Sequence, residues 1–356
     1  MSENTKGKEP DMDIRSCDEK DMEEIAHAFG EKAFRGKQLF QWIHDKRVEY
    51  FDEMSNLSIS FREKLKENYV ISGVTIMEKQ LSRRGDTAKY LFSLPDGNII
   101  ESVWMKYHHG NSVCISSQVG CRMGCTFCAS TLTGLTRNLT AGEMLSQIYE
   151  IQRETGERVS HVIVMGMGEP LDNYDNLIRF IRLLSHEKGI HISQRNITVS
   201  TCGLVEQIRR LAEERMQITL AISLHAPNDD IRRCTMPVAK RYCIEEVLVA
   251  CREYFQMTGR RITFEYSMIR GVNDRVEHAE ELAERIRGLN CHVNLIPLNE
   301  VKERKCLRST EEDIRRFKLT LEKYLINVTI RREMGSDIDA ACGQLRKKFL
   351  AKNSRN

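Results

Sequence analysis

Between Cys121 and Cys128 the chain reads CRMGCTFC, three thiols at a Cys-x3-Cys-x2-Cys spacing. A structural zinc site takes four ligands, commonly as two separated pairs, so this run supplies one too few. Three thiolates can instead hold three irons of a cubane cluster and leave the fourth iron open to an exogenous ligand. Spacing alone leaves two alternatives standing: chance clustering, or a zinc site completed by a distant Cys or His.

Other reactive or ligand-binding groups stand just after β-prone runs. VMGMGEP at 164–170 carries Glu169, a carboxylate suited to an ammonium, and glycines such as Gly168 that admit close approach of a ligand to the backbone. The same Gly-x-Gly also serves as a plain tight turn. Ser200 in STCG, the run Ser223-Leu224-His225 and Asn299 in PLNE hold equivalent places. Singly, Ser200 reads equally as a helix cap, Asn299 as a turn residue and His225 as a satisfied loop histidine. Their joint placement at strand ends favours one pocket.

The elements that must position these groups follow from periodicity. Residues 18–69 read as short helices, DEKDMEEIAHAFG, RGKQLFQWIHDKR with Leu39, Trp42 and Ile43 at helical spacing, and SFREKLKENY. From about 70, TAKYLFSL and NIIESVWM flank the turn Pro95-Asp96-Gly97, a β-hairpin with Glu101 on its second strand. After Asn111, the β-prone runs SVCIS, HVIVM, NITVS, ITLAIS, ITFEYS, HVNLI and NVTI alternate with helices long enough for crossovers. Repeated βα units predict an α/β fold with a parallel sheet, as a full or partial barrel or a doubly wound sheet. Both architectures gather chemistry at the carboxyl ends of their strands. Thr140 and Glu143 have capping-box spacing, with Met144, Leu145, Ile148 and Ile151 as the buried stripe behind them.

The 356 residues, 41% hydrophobic and 29% charged, suffice for a sizeable core. No run reaches the ~18 to 20 apolar residues of a membrane span, and MSENTKGKEPDMD lacks the apolar centre of a signal peptide. A cytoplasmic protein without a membrane partner is expected, with its twelve cysteines mostly reduced. A net charge of +3 permits an RNA partner without demanding one.

The cysteine spacing on a glycine-containing loop after the first parallel strand, with Phe127 between the last two thiols, resembles the radical S-adenosylmethionine (SAM) superfamily. The strings VCISSQVGCRMGCTFCAST, TRNLTAGEML, VMGMGEPLDNYDN, LAISLHAPND and DIDAACGQL closely resemble the RlmN family, which methylates adenosine at C2 in 23S rRNA. The resemblance covers nearly all of the chain. It implies a radical SAM partial (β/α)6 barrel with a small N-terminal helical accessory domain and a β-hairpin extension. The division it suggests is an RNA-binding helical domain at 1–69, the hairpin extension at 70–110, the radical SAM core at 111–332 and a C-terminal segment at 333–356. A [4Fe-4S] cluster on Cys121, Cys125 and Cys128 is implied, with SAM contacts from Gly168, Glu169, Ser200, Ser223, Leu224, His225 and Asn299. Cys202 departs from the family pattern, which often has an aliphatic residue there.

Two further cysteines acquire roles only through this resemblance. Without it, Cys114 is a buried strand thiol, Cys342 a loop thiol and Glu101 a solvated hairpin carboxylate. By resemblance, Cys342 is methylated by one SAM, and a second SAM yields the radical that activates this methyl for addition to C2. Glu101 is then the proton acceptor, and Cys114 attacks Cys342 to release the product and leave a disulfide. Implied partners are 23S rRNA, tRNA as in some members, and an electron donor such as flavodoxin or ferredoxin; a monomer is expected. The sister activity at C8 of the same adenosine and a non-catalytic zinc-stabilised RNA-binding protein are the competing readings. Cys17, Cys202, Cys234, Cys243, Cys251, Cys291 and Cys306 read as bystanders. Arg331-Arg332, Arg346-Lys347-Lys348 and Lys352 are candidate phosphate contacts or solvated charge.

Overall fold

The computed structural model describes residues 12–299, 306–332, 334–335, 337–338 and 345–346. At its start, β1 (Met12–Asp13) pairs in parallel with β2 (Tyr69–Val70) and brackets three helices: α1 (Glu19–Ala28), α2 (Ala33–Phe40) and α3 (Ile59–Asn68). Asp18 and Asp21 form a reciprocal capping box at the head of α1, and the Ser58 hydroxyl caps α3 through the N–H of Phe61. The sequence suggests one helix from Arg35 to Arg47. Instead α2 starts at Ala33 and widens into a π turn over Gln41–Asp45, which turns Ile43 and His44 inward. Helices α1 and α2 touch at Gly36, where a Cβ would fall 2.5 Å from the Glu23 backbone, so only glycine permits the crossing.

The main sheet opens with an antiparallel meander of β3 (Thr75–Leu81), β4 (Thr87–Ser93), β5 (Ile99–Tyr107) and β6 (Gly110–Ile115). A small antiparallel pair, β7 (Gln118–Gly120) with β8 (Leu135–Asn138), stands apart from it. The main sheet continues in parallel through β9 (Val159–Val164), β10 (Ile197–Thr201), β11 (Thr219–Ser223), β12 (Ile262–Met268), β13 (Cys291–Pro297) and β14 (Asn327–Ile330). The order from edge to edge is β14-β13-β12-β11-β10-β9-β6-β5-β4-β3. Crossovers run through α4 (Ala141–Thr155), α5 (Tyr174–Ser185), α6 (Val205–Glu213), α7 (Asp229–Thr235) with α8 (Ile244–Thr258), α9 (Val276–Arg285) and α10 (Glu311–Lys323). The expected hairpin is β4–β5; β3 has no counterpart among the expected elements.

Each parallel strand after β6 is added on the same side of its predecessor. Right-handed crossovers then place every helix on one face, which is barrel winding; a doubly wound sheet would reverse its order midway. Edge strands β3 and β14 do not pair, so the barrel is partial. On the helix side, Val113, Ile115, Val162, Val164, Leu220 and Phe264 are fully buried. α4 has the expected Thr140–Glu143 box, with Met144, Leu145, Ile148 and Ile151 fully buried.

The pairing register assigns the other face. Val103 lies opposite Cys114 and Cys114 opposite Ile163; Thr198 pairs with both Ile163 and Thr219, Ser223 with Glu265, and Glu265 with Asn294. Since side chains alternate, Glu101, Cys114, Ser200, Ser223, Glu265 and Asn294 all point to the concave side. A polar interior thus faces a helix-covered apolar exterior. The N-terminal helices dock outside, on α4 and α5. Arg15, almost fully buried, bonds to Ser146 Oγ (3.0 Å) and Val48 O (3.1 Å), and His44 Nδ1 meets Tyr149 Oη at 3.0 Å. Their apolar side chains join those of the barrel in one continuous cluster. Among the described residues, no helix is long and apolar enough to cross a membrane.

Candidate functional site

The cysteine loop begins where β6 ends. Because β7 and β8 pair, residues 121–134 form a loop closed at its base, where Cys121 N–H donates to Gly134 O at 2.9 Å. A Cβ on Gly120 (φ +80°) would fall 1.9 Å from that same carbonyl, so the closure requires glycine. Thr131 Oγ1 donates to the carbonyls of Cys125 (3.2 Å) and Cys128 (3.0 Å), and Thr126 N–H donates to Thr235 O at the end of α7 (2.9 Å). Phe127 packs edge-on against His225, with centroids 5.1 Å apart.

The Cys121 thiol is buried and those of Cys125 and Cys128 are half-buried, and the three lie within electrostatic reach of one another. Burial pushes Cys121 up to about 12 and Cys125 further in the same direction. Thiolates at such a place need a cationic centre to compensate them, which iron supplies. Among the described residues, no group of three or more His, Cys, Asp or Glu side chains converges on a single-ion site. The donor set itself, three thiols on one loop, fits a four-iron cluster in which each thiolate would hold a different iron.

After β9, the Gly166 and Gly168 turn lies against the chain that leaves β6. A Cβ on Gly166 would sit 2.6 Å from Ile115 O, and one on Gly168 (φ +106°) 2.6 Å from Gln118 Cβ. On the side where a Cβ would point, the close approach is therefore to the protein's own chain, backbone at Gly166 and both backbone and side chain at Gly168, whereas the sequence suggested approach to a ligand. Glu169 is buried. Its Oε1 accepts the N–H of Leu171 (3.0 Å) and its Oε2 that of Cys202 (2.7 Å), while its own N–H donates to Gln118 Oε1 (2.8 Å). Burial raises its pKa and the Cys202 N–H opposes that shift. The Thr201 hydroxyl and the Cys202 thiol also reach this carboxylate, so with about four lone-pair sites a SAM ammonium would take the place of one of these two side-chain donors.

Ser200 on β10 and Ser223 on β11 approach Oγ to Oγ at 3.4 Å. Leu224 and His225 follow, both buried, with their N–H groups directed to Glu265 O. His225 adopts φ +55° and is held there by Asn273, whose Nδ2 donates to His225 O at 2.8 Å. Its Nδ1 accepts the N–H of Ser267 (3.0 Å), which fixes the tautomer with hydrogen on Nε2. Burial, then Arg232, lowers its pKa to about 3, so the ring is neutral. Asn299 lies just past β13 and is exposed.

At the other side of the barrel, Glu101 is buried rather than solvated. Lys89, fully buried on β4, pairs with Glu101 Oε2 at 2.9 Å, and Glu101 Oε1 accepts the backbone N–H of Arg346 at 2.5 Å. Leu345 forms a small separate apolar cluster with Leu91 and Ile99. Residues 345–346 are thereby tied to the strand pair carrying Glu101, whose side chain shares the inner face with Cys114. Cys342 itself, with Lys347, Lys348 and Lys352, lies outside the described residues.

Three contributors were not singled out from sequence. Gln118 links the two loops, its Nε2 reaching Asn138 (2.8 Å) and Asp172 (2.9 Å) while its Oε1 holds Glu169. Lys89 is a charge in an otherwise apolar run, and with the hairpin turn placed its side coincides with that of Glu101; that was a usable signal. Arg232 carried none, since it sits in a charged run that reads as solvated.

Comparison with known proteins agrees with this architecture. Residues 115–286 match the family model "Radical SAM superfamily", and residues 12–71 match "Ribosomal RNA large subunit methyltransferase N-terminal domain". A protein of Lachnospira eligens named probable dual-specificity RNA methyltransferase RlmN is 58% identical over 95% of this chain and 97% of its own. A Desulforamulus reducens protein of the same name is 51% identical over 96% and 98%. The crystal structure of a radical SAM methyltransferase from Sphaerobacter thermophilus superposes with a TM-score of 0.89 at 44% identity, covering 94% of this chain and 98% of that one.

Proposed function

Because the chain belongs to the RlmN family of radical SAM proteins, we propose that it methylates C2 of an adenosine in 23S rRNA, and an adenosine of tRNA by the same chemistry. The radical SAM superfamily uses a [4Fe-4S] cluster and SAM, which together supply a carbon radical by one-electron cleavage of SAM, and SAM also supplies the methyl group. Adenine C2 is an electron-poor carbon without a lone pair, so direct displacement on SAM is closed to it. The chain's own thiol provides the detour.

In this reading Cys121, Cys125 and Cys128 hold the cluster, and Gly168, Glu169, Ser200, Ser223, Leu224, His225 and Asn299 surround SAM. Cys342 carries the methyl group as an S-methyl thioether, Glu101 accepts the C2 proton, and Cys114 attacks Cys342 to free the base, leaving a disulfide. The observation that carries this assignment is the tie between Glu101 and residues 345–346, three positions beyond Cys342, on the inner face that also bears Cys114. Lys89 holds the Glu101 carboxylate in place. The helices at 1–69 serve as the RNA-binding domain, 70–110 as the extension carrying Glu101, 111–332 as the radical SAM core and 333–356 as the carrier segment. A monomeric cytoplasmic enzyme receiving electrons from flavodoxin or ferredoxin completes the reading.

The test is anaerobic incubation of the reconstituted protein with SAM, reductant and an rRNA fragment, followed by nucleoside mass spectrometry. We expect 2-methyladenosine. 8-Methyladenosine, or deoxyadenosine formed without any methylated base, would overturn the substrate assignment.

A further inference from the structure

Arg232, on α7, is a fully buried guanidinium that no carboxylate neutralises among the described residues. Its NH2 nitrogen donates to Cys202 O at 2.7 Å and its NH1 nitrogen to Tyr242 O at 3.2 Å, while its Nε–H has no partner. The acid within electrostatic reach, Asp229, already accepts the N–H of Ile244 at 2.8 Å. A buried cation held only by main-chain carbonyls is costly, and the other groups in its reach include the neutral His225 ring and the thiols of Cys202, Cys125, Cys243 and Cys251.

The segment carrying this charge also touches the cysteine loop twice. Thr235 O accepts the N–H of Thr126, between the second and third cysteines, and a Cβ on Gly124 would rest 3.3 Å from Pro237. Arg232 thus sits on the element that touches the cysteine loop and bonds the carbonyl of Cys202, the residue whose N–H holds Glu169. We propose that Arg232 is a positioning residue of the cluster site whose fixed charge favours the reduced cluster. One electron added to a centre bound by three thiolates is stabilised by a nearby buried cation, and net charge is among the determinants of cluster potential. No bond forms or breaks; the electron comes from the external one-electron donor.

The experiment is an anaerobic reductive titration of the full-length, iron-reconstituted protein, followed by electron paramagnetic resonance, with iron counted for each variant. Arg232→Gln, loaded to the wild-type iron content, should show at least a tenfold weaker reduction equilibrium, a downward shift of about 59 mV for a one-electron couple. Arg232→Lys, which keeps the charge, should titrate with the wild type. A wild-type potential in Arg232→Gln, or a fall in Arg232→Lys equal to that in Arg232→Gln, overturns the proposal. If Arg232→Gln does not hold iron, Arg232→Lys decides: wild-type iron and potential uphold it, and loss of either overturns it.

Discussion

Replacing Gly168 by Ala separates two reasons for a glycine at that turn. At φ +106° an L side chain is strained, at a cost of about 1–2 kcal/mol or more. The added Cβ would also meet Gln118 Cβ at 2.6 Å, Gln118 N at 2.8 Å and Ser117 Oγ at 2.8 Å. Those atoms are not free to retreat, because Ser117 and Gln118 donate their N–H groups to Met167 O and Gln118 Oε1 holds the N–H of Glu169. Overpacking of this kind costs about 1–3 kcal/mol, which makes the expected loss about 2–5 kcal/mol in all. Gly97→Ala is the control: φ is +79° and nothing lies within 4 Å of its Cβ, so only the conformational cost of about 1–2 kcal/mol applies. Urea unfolding of the cofactor-free protein should place Gly168→Ala below Gly97→Ala by about 1–3 kcal/mol. Equal stability of the two variants, with SAM binding impaired only in Gly168→Ala, would refute the packing argument and return the glycine to the ligand.

Buried His44, lowered to about 3 by burial, takes up its proton on unfolding, so its stability contribution is complete above pH 6.5 and shrinks as pH falls toward 3. Between pH 6.5 and 5, wild type should lose about 1.6 kcal/mol more than His44→Gln in urea melts; parallel acid limbs would count against this. Gly36→Ala should pry α1 from α2 and destabilise the N-terminal helices by about 1–3 kcal/mol while iron content stays at the wild-type level, read by proteolysis and iron assay. Cys342→Ala should abolish methyl transfer with SAM cleavage retained, and Cys114→Ala should leave RNA joined to protein on a denaturing gel; free methylated RNA from either variant would remove the thiol-carrier route. Leu345→Ala, emptying the cluster with Leu91 and Ile99, should weaken docking of the C-terminal segment by about 2–3 kcal/mol and slow methyl transfer at unchanged iron content.

The fold was legible where one periodicity ruled a segment. The capping box at Thr140 and the stripe behind it lie where their spacing puts them, and the β4–β5 hairpin follows from its Pro-Asp-Gly turn. Periodicity alone did not tell barrel from doubly wound sheet, because the choice lies in strand order, which no local pattern encodes; the partial barrel came from the family resemblance and is the fold found. β3 was missed because TIMEKQL alternates on a half-buried edge without an apolar run. Of the site, the three thiols were legible from spacing. Without the resemblance Glu101 read as a solvated carboxylate, because its counter-charge, Lys89, is brought to it only when the hairpin pairs. Arg232 was hidden by Asp229, Asp230 and Arg233, whose charges make a buried guanidinium look like part of a wet helix face.

The β7–β8 pair ties off the cysteine loop at its base. Strand pairing and the threonine bonds to the loop carbonyls offset chain-closure entropy in gathering Cys121, Cys125 and Cys128. Small zinc domains are the opposite case, since their ligands come together only as the metal binds and chelation unfolds them. Here the elements that gather the cysteines are strands and hydrogen bonds of the protein itself, so a cluster held there would load onto a loop whose base the fold closes.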